Sequence, residues 1–513
     1  MSGRTRRSRR SGRHQRRLRY EAEAEAAEDL GRIDWPRLAL MIVGWLAIAV
    51  FLLLLVVAPL ALGANRDWAW APILVALGVL GVLVALGVGD IRGFAVEPDE
   101  RWPLLALVAC FLAFTFVGLL QLSTLSPAAG SAPFYARAQA LLGQAHAVVP
   151  TLAVDQTRDA LLRCLACVLV FVIARALFRT PARARLLLYG LLVSATLVVI
   201  YGLAQQVSTG GCYVGSLLKK QGDYTGDRCL MSGTFANSNS FGCFVGMAFA
   251  AAVALVLQER RRQRSLEGDD EAAGARLLRR LSGATPILVA LALLFLGTQL
   301  FSSSRAAFAA TVVVTGLLLY LSMRGRWKSR AQVRRTVIAA ALVGVLMLGL
   351  AGGAMLRKIS LLGDSGQFDR TAIWATSLAA AAGSPWLGWG LGAYQDIYAS
   401  YQPDQIRLSN DKAHSTPIEL IVESGVLGAV PGLLMVLIPW AVCLLGAWRR
   451  RRHRTLMVAA VAVPAIAMLH STVDFSLQIP AIAFVVAAFL GMGWAQTFYR
   501  TPVQEPAFTE PEE

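Results

Sequence analysis

From about residue 37 to residue 497 the chain is a succession of long apolar runs separated by short polar connections. A helix needs roughly 20 apolar residues to cross a ~30 Å hydrocarbon core. Runs of that order occur at 37–62, 71–89, 103–122, 158–178, 184–207, 238–257, 285–301, 305–322, 336–354, 416–445, 455–472 and 476–497. Backbone amides in lipid have no water to bond, so such runs fold as helices. The pattern predicts an all-α, polytopic membrane protein of about 12 transmembrane helices. An even number of spans puts both termini on one side.

Charge then orients the bundle. Nine arginines lie in the first twenty residues. The connections at 258–284, 323–335 and 449–454 are also rich in arginine. All four segments fall on the same side of the twelve-span reading, and the excess of Arg and Lys in short loops marks that side as cytoplasmic. Residues 1–34, basic and then acidic, read as a disordered cytosolic tail whose basic part meets membrane lipid. Residues 35–500 form the transmembrane domain, and 501–513 are a second cytosolic tail. The first apolar run is too long for the core of a cleavable signal peptide.

Three longer connections, about 123–157, 208–237 and 355–415, then lie outside. The last, between spans 9 and 10, is the largest. It carries Trp374, Trp386, Trp389, Tyr394, Tyr398 and Tyr401, a composition that predicts order. Asp369 to Ala382 reads as a short interfacial helix, with Asp369 as N-cap, Gly383 just past its end, and Ile373, Trp374 and Leu378 near one face.

Composition agrees: 56% of residues are hydrophobic and 16% charged, against about 25% charged in soluble domains. The net charge of +17 would suit nucleic acid, but its confinement to alternate connections argues against that partner. Cys164 and Cys167 make a CxxC inside an apolar run, without the strand context of a redox motif. Cys212 and Cys229 share one outer loop, where a disulfide is chemically permitted. No zinc, P-loop, GxSxG or EF-hand pattern is present, so no metal or cofactor is expected.

Several outer polar residues carry chemistry. Arg305 closes Phe301-Ser-Ser-Ser-Arg305 at the junction of two spans. Either it forms an anion site with the helix N-terminus that follows, or it is an interfacial arginine snorkelling to water. Arg370 heads the expected interfacial helix, where a guanidinium grips phosphate in bidentate fashion or is simply solvated. His414 lies just before a span that contains Glu419 and Glu423. Its imidazole would accept a proton near neutral pH, or be only a polar residue at a helix start. Glu419 and Glu423, one turn apart, would orient it or line a polar vestibule. His470 and Asp474, at the last outer turn, are spaced to pair, though a structural turn role fits as well. Gly388, Gly390 and Gly392 make a GxGxG without a βαβ unit, which points to tight loop packing rather than a dinucleotide.

Taken together these segments resemble the O-antigen ligase and polymerase family of bacterial membrane glycosyltransferases. The resemblance rests on Gly233-Thr-Phe-Ala-Asn237-Ser-Asn239, Ser302-Ser-Ser-Arg305, Asp369-Arg370 with Trp374, Ser384-Pro-Trp-Leu-Gly388-Trp-Gly-Leu-Gly392, and Ala413-His414 leading to Glu423-Ser-Gly425. It covers about 230–490, including the closing His470…Asp474-Phe475. It implies a GT-C-like helical bundle in the bacterial inner membrane. The implied donor is a glycan on undecaprenyl diphosphate; the acceptor is a glycan, lipid A core or protein hydroxyl. Arg305 and Arg370 would hold the diphosphate. His414 would activate or position the acceptor for inverting, metal-independent transfer. Asn237, Asn239, Trp374, Glu423, His470 and Asp474 would support the site. One departure is Ser415, where the family often carries Asn after the histidine, so the resemblance specifies the donor better than the acceptor. A lipid-linked glycan flippase or other multi-span transporter is the competing reading. It would call for an internal repeat and charges near the midplane. No repeat is visible, and the suggestive residues sit at one face, Arg163 and Arg175 near the ends of the fourth span being the exceptions.

Overall fold

The computed structural model describes residues 35–86, 96–124, 140–143, 149–209, 224–225, 228–266, 283–323, 370–403, 410–450 and 454–498. The run expected at 336–354, both tails and Cys212 lie outside the described residues. The pairing of Cys212 with Cys229 therefore does too.

The helices are α1 (Trp35–Leu60), α2 (Asp67–Ala85), α3 (Arg101–Gln121), α4 (Val154–Leu177), α5 (Pro181–Thr209), α6 (Ser238–Leu266), α7 (Thr285–Phe301), α8 (Arg305–Met323), α9 (Arg370–Gly383), α10 (Tyr394–Tyr401), α11 (Thr416–Arg449), α12 (Arg454–His470) and α13 (Pro480–Phe498). Among the described residues nine helices are long and apolar enough to cross a membrane, and α7 and α12 are shorter apolar helices. Eleven of the expected runs are thus helical, and the protein is an all-α polytopic membrane protein. A two-residue antiparallel ladder, Tyr224–Thr225 with Arg228–Cys229, is its only described sheet.

The first five helices begin two to four residues before the apolar runs that predict them. Asp67, Arg101, Asp155 and Arg158 interrupt a hydropathy run, yet they fit the first turns of a helix, where backbone N–H groups still face water. At its other end α6 runs through Arg260, Arg261, Arg262 and Arg264, so the expected connection at 258–284 starts as helix.

α12 and α13 form the interior. α13 packs on α4, α11, α12 and α1, while α6 packs on α7, α8 and α12. Trp494, Phe484, Phe489 and Phe295 are among the largest fully buried side chains. The outer helices do the opposite: Leu46 and Leu53 of α1 and Leu105, Leu112 and Phe116 of α3 are all more than half exposed. A contiguous apolar exterior of this kind requires lipid around it. A second, smaller core caps one end of the bundle, built from Ile373, Ala380, Trp389, Tyr394, Ile397, Tyr398, Ala413 and Val422.

α11 is broken at Gly425 (φ 57°, ψ −171°). The segment 385–392 docks into the break. Val426 N donates to Pro385 O (2.8 Å), Leu427 N to Trp386 O (3.1 Å), Trp389 N to Val422 O (3.1 Å) and Gly390 N to Glu423 O (2.9 Å). Irregular backbone at membrane depth survives only when its polar groups are met within the protein, and these four bonds meet them. A Cβ on Gly388 would run into the Glu423 and Ser424 backbone, and one on Gly425 into Trp386 and Leu387. Glycine is required at both places because two backbones touch there.

Candidate functional site

The carboxylate of Asp474, 1% exposed, is the point on which several chain segments converge. Its Oδ2 accepts a hydrogen bond from Asn239 Nδ2 at 2.9 Å and lies 3.6 Å from Arg370 Nη2 and 4.0 Å from His414 Nδ1. Its Oδ1 accepts from Phe475 N at 2.8 Å. Arg370 also donates from Nη1 to Val473 O (2.9 Å), while its side chain stays 41% exposed. Asn237, just ahead of α6, turns its Oδ1 onto Asn239 N (2.6 Å) and so shapes the helix start that presents Asn239. Four parts of the chain, at 237–239, 370, 414 and 470–475, therefore meet at one end of the bundle.

His414 is held in a left-handed backbone conformation (φ 50°), which costs a non-glycine residue energy and persists only where its neighbours impose it. Here they do. Ala413 N donates to Glu419 Oε2 (2.9 Å), Trp374 Nε1 donates to Ala413 O (2.9 Å), and Phe475 packs on the imidazole with ring centroids 5.3 Å apart. His414 Nδ1 is buried without a hydrogen-bond partner. Burial, reinforced by Arg370, pulls the His414 pKa below the usual histidine value, against the opposing pull of Asp474. The neutral imidazole, able to accept a proton, is therefore favoured near pH 7. Lys412 bridges to Glu419 Oε1 at 3.0 Å. Its own burial would lower its pKa, but Glu419 and then Glu423 outweigh that and hold it above the ordinary lysine value.

Glu423 serves a different segment. Its Oε1 accepts from Tyr394 N (3.3 Å) and its backbone carbonyl from Gln121 Nε2 (2.7 Å) and Gly390 N. Gln121, fully buried at the end of α3, also donates to Leu387 O (2.6 Å) and accepts from Leu391 N (3.0 Å). So Glu423 fixes the glycine loop and not the histidine. Glu419 bonds to the backbone of Ala413 rather than to the histidine ring.

One of two open readings is set aside and one expected relationship is corrected. His470 does not hydrogen-bond Asp474: its Nδ1 bonds to Ser476 Oγ (2.8 Å), while Asp474 takes Asn239 and faces Arg370 and His414. Leu378 is 51% exposed and stands off the buried face of α9, which is Ile373, Thr376, Ser377, Ala380 and Ala381.

Arg305 heads α8, exposed, with no ion pair or hydrogen bond among the described residues. The turn before it, Ser302 to Ser304, is packed against Gly242, one turn into the helix that presents Asn239. Gln299 Nε2 ties that contact together by donating to Gly242 O (2.9 Å) and Thr311 Oγ1 (2.8 Å). Arg305 is thus on the same end as Asp474, though it does not join the Asp474 cluster directly.

Beside the cluster opens an apolar cavity of about 780 Å³ between α3, α4, α8, α11, α12 and α13. Leu107, Phe111, Leu433 and Met468 line its depth, and Thr416, Ser471 and Thr472 its polar margin. That margin is joined to the cluster, because Thr416 N donates to Ser471 O (2.9 Å) and Asp474 O (3.2 Å).

Sequence reasoning missed Gln121, and it noted Arg175 without its buried partner Glu100. Both sit at helix ends among apolar neighbours, where nothing in one sequence separates a structural polar residue from a solvated one.

Residues 289–431 match the family model described as O-antigen ligase, Wzy_C. No curated protein matches the chain. The matched stretch holds Arg305, Arg370, Trp374, His414 and Glu423, whereas Asn239 and Asp474, which complete the cluster, lie on either side of it.

Proposed function

We propose that this chain, which over residues 289–431 matches the O-antigen ligase family model, transfers an oligosaccharide from undecaprenyl diphosphate to an acceptor hydroxyl at the extracytoplasmic face of the bacterial inner membrane. The observation that carries the reading is the meeting of Arg370, His414 and Asn239 at Asp474, beside the mouth of an apolar cavity. A prenyl chain needs an apolar channel, a diphosphate needs cations, and an attacking hydroxyl needs a base. All three are adjacent. The cavity volume falls within the range of about 300–1,000 Å³ typical of ligand sites.

In this mechanism the acceptor O–H donates its proton to neutral His414 as its oxygen bonds to the anomeric carbon. The bond from that carbon to the diphosphate oxygen breaks, and undecaprenyl diphosphate leaves with the electron pair. Arg370 and Arg305 bind its growing charge, the role a divalent cation plays in other glycosyltransferases. Attack opposite the leaving group inverts the anomeric centre. Asp474 orients the imidazole and steadies Arg370. With the basic connections inside the cell, both termini are cytoplasmic and this cluster faces out.

The acceptor hydroxyl belongs to lipid A core, a growing polysaccharide or a protein. The test is purified full-length protein in detergent, supplied with a lipid-linked repeat. Undecaprenyl diphosphate is released and glycan appears on the acceptor, as a ladder for a polymerase or a single addition for a ligase. A flippase consumes no donor without two compartments. Absence of donor consumption by folded, monodisperse wild type overturns the proposal.

A further inference from the structure

We propose that Glu419 is a positioning residue: with Lys412 as its counter-ion, it holds the backbone at Ala413 so that His414 is presented to the acceptor in its left-handed turn. This rests on the reading of His414 as the proton acceptor. Four observations carry it. Glu419 is 1% exposed, one turn into α11, where a carboxylate is costly unless fully bonded. Both its oxygens are engaged, Oε2 by Ala413 N at 2.9 Å and Oε1 by Lys412 Nζ at 3.0 Å. The residue it grips is the one immediately before His414, whose φ of 50° is not a conformation the chain adopts unaided. Ala413 is gripped on its other side as well, its carbonyl taking the Trp374 indole N–H at 2.9 Å. Ala413, the residue leading into the histidine, is thus held at its N–H by α11 and at its C=O by α9.

The counter-ion gives the arrangement its logic. A neutral glutamine at 419 has one acceptor oxygen to divide between Ala413 and the Lys412 ammonium. Removing the ammonium as well frees that oxygen for Ala413. The single substitution should therefore harm, and the double should recover.

Hydrogen exchange on the full chain in detergent reads the clamp without any donor. The Ala413 amide exchanges slowly in wild type, at least ten-fold faster in Glu419→Gln, and slowly again in Lys412→Met/Glu419→Gln. Turnover with the lipid-linked donor reads the consequence. Glu419→Gln lowers kcat about ten-fold or more with donor KM within about two-fold, because a misplaced base costs rate rather than binding. The double variant regains most of it. Asp474, Arg370, Asp411 and Glu419 are the charged groups facing His414. Glu419 raises its pKa, so the acidic limb of the rate profile moves to lower pH in Glu419→Gln, a shift that simple loss of folded protein does not produce. If Glu419→Gln fails to insert, Trp374→Phe, which removes the indole N–H that holds Ala413 O together with the pyrrole half of the ring, releases the other side of the same clamp and lowers kcat about three-fold at unchanged donor KM. Rapid exchange of Ala413 in wild type, or an unchanged kcat in these variants, overturns the proposal. Wild type that protects Ala413 yet transfers no glycan overturns the functional reading instead.

Discussion

His414 Nδ1 and Asp474 Oδ2 stand 4.0 Å apart, with no hydrogen bond on that imidazole nitrogen. The same carboxylate oxygen already takes Asn239 at 2.9 Å and faces Arg370 at 3.6 Å. One buried anion is therefore shared by a base and a cation, and the looser of its contacts is the one to the base. Catalytic hydrogen bonds are often long before substrate arrives and tighten in the reacting complex.

Asp474→Asn tests that sharing. The amide keeps one acceptor oxygen where the carboxylate offers two, to Asn239 and to Phe475 N, and it no longer balances Arg370 or an imidazolium forming at His414. We expect kcat to fall by about 10²-fold or more while the protein inserts and remains monodisperse. Turnover within a few-fold of wild type would remove Asp474 from the site.

The pH dependence has a definite sign. The folded state lowers the His414 pKa below its ordinary 6.5, so folding favours the neutral ring. That contributes stability which is fully present above pH 6.5 and is lost as pH falls through the folded value. The acidic limb of kcat/KM, which reports the free enzyme, accordingly has its midpoint below pH 6.5. Asp474 opposes the lowering, so Asp474→Asn moves the midpoint further down. A wild-type midpoint above 6.5 would show that another group governs the rate.

The two arginines separate by what each loses. Arg305 is exposed and bonds to no described residue, so Arg305→Ala changes stability by no more than about 0.5 kcal/mol. Its transfer rate nevertheless drops by about 10²-fold. Arg370→Ala loses rate and also frees Val473 O and Asp474, so its melting temperature falls too. Lysine rescues neither, since an ammonium lacks the guanidinium fork. Full activity in Arg305→Ala would leave it as a snorkelling arginine.

How much of this was legible in the sequence follows from which interactions are local. Spans were legible because each apolar run must satisfy lipid on its own. Arg370 and His414 stood out as polar residues at a membrane face. What the sequence did not disclose was pairing across the fold. His470 and Asp474, four apart, were spaced either to pair or to build the turn, and spacing alone did not show that Asp474 turns to Asn239, 235 positions away, and His470 to Ser476 within the turn. Glu419 and Glu423 share a helical face but serve different loops, because the break at Gly425 admits the 385–392 segment beside Glu423 alone. The three glycines at 388, 390 and 392 announced tight packing without saying against what.

That packing makes Gly388→Ala and Gly425→Ala informative. Both residues have positive φ (66° and 57°), and an added Cβ at either meets backbone that cannot rotate aside. The left-handed conformation alone costs about 1–3 kcal/mol, and separating the two backbones would strip the four bonds that satisfy the broken helix. We expect each variant to insert poorly or to melt well below wild type. Gly297→Ala, with nothing within 4 Å of the added carbon, should be neutral. Equal stability of all three would mean that the loop does not dock in the break.

At the opposite end of the bundle, Arg175 and Glu100 form an ion pair with side chains only 5% and 3% exposed, and Trp494 Nε1 donates to the same Glu100 oxygen at 2.9 Å. Breaking such a pair from one side leaves a charge with no solvent, at a cost of about 3–5 kcal/mol. Arg175→Met should therefore be severely destabilising even though methionine fills much the same space. Adding Glu100→Gln removes the stranded charge while its amide oxygen still accepts the indole N–H, so the double variant recovers most of the loss. Glu100→Leu in its place recovers less, because the buried Trp494 N–H then forfeits its acceptor, worth about 1–3 kcal/mol. Thermal melts of the four detergent-purified proteins give the order: wild type, then Arg175→Met/Glu100→Gln, then Arg175→Met/Glu100→Leu, then Arg175→Met. A single variant as stable as the doubles would mean that water reaches this pair.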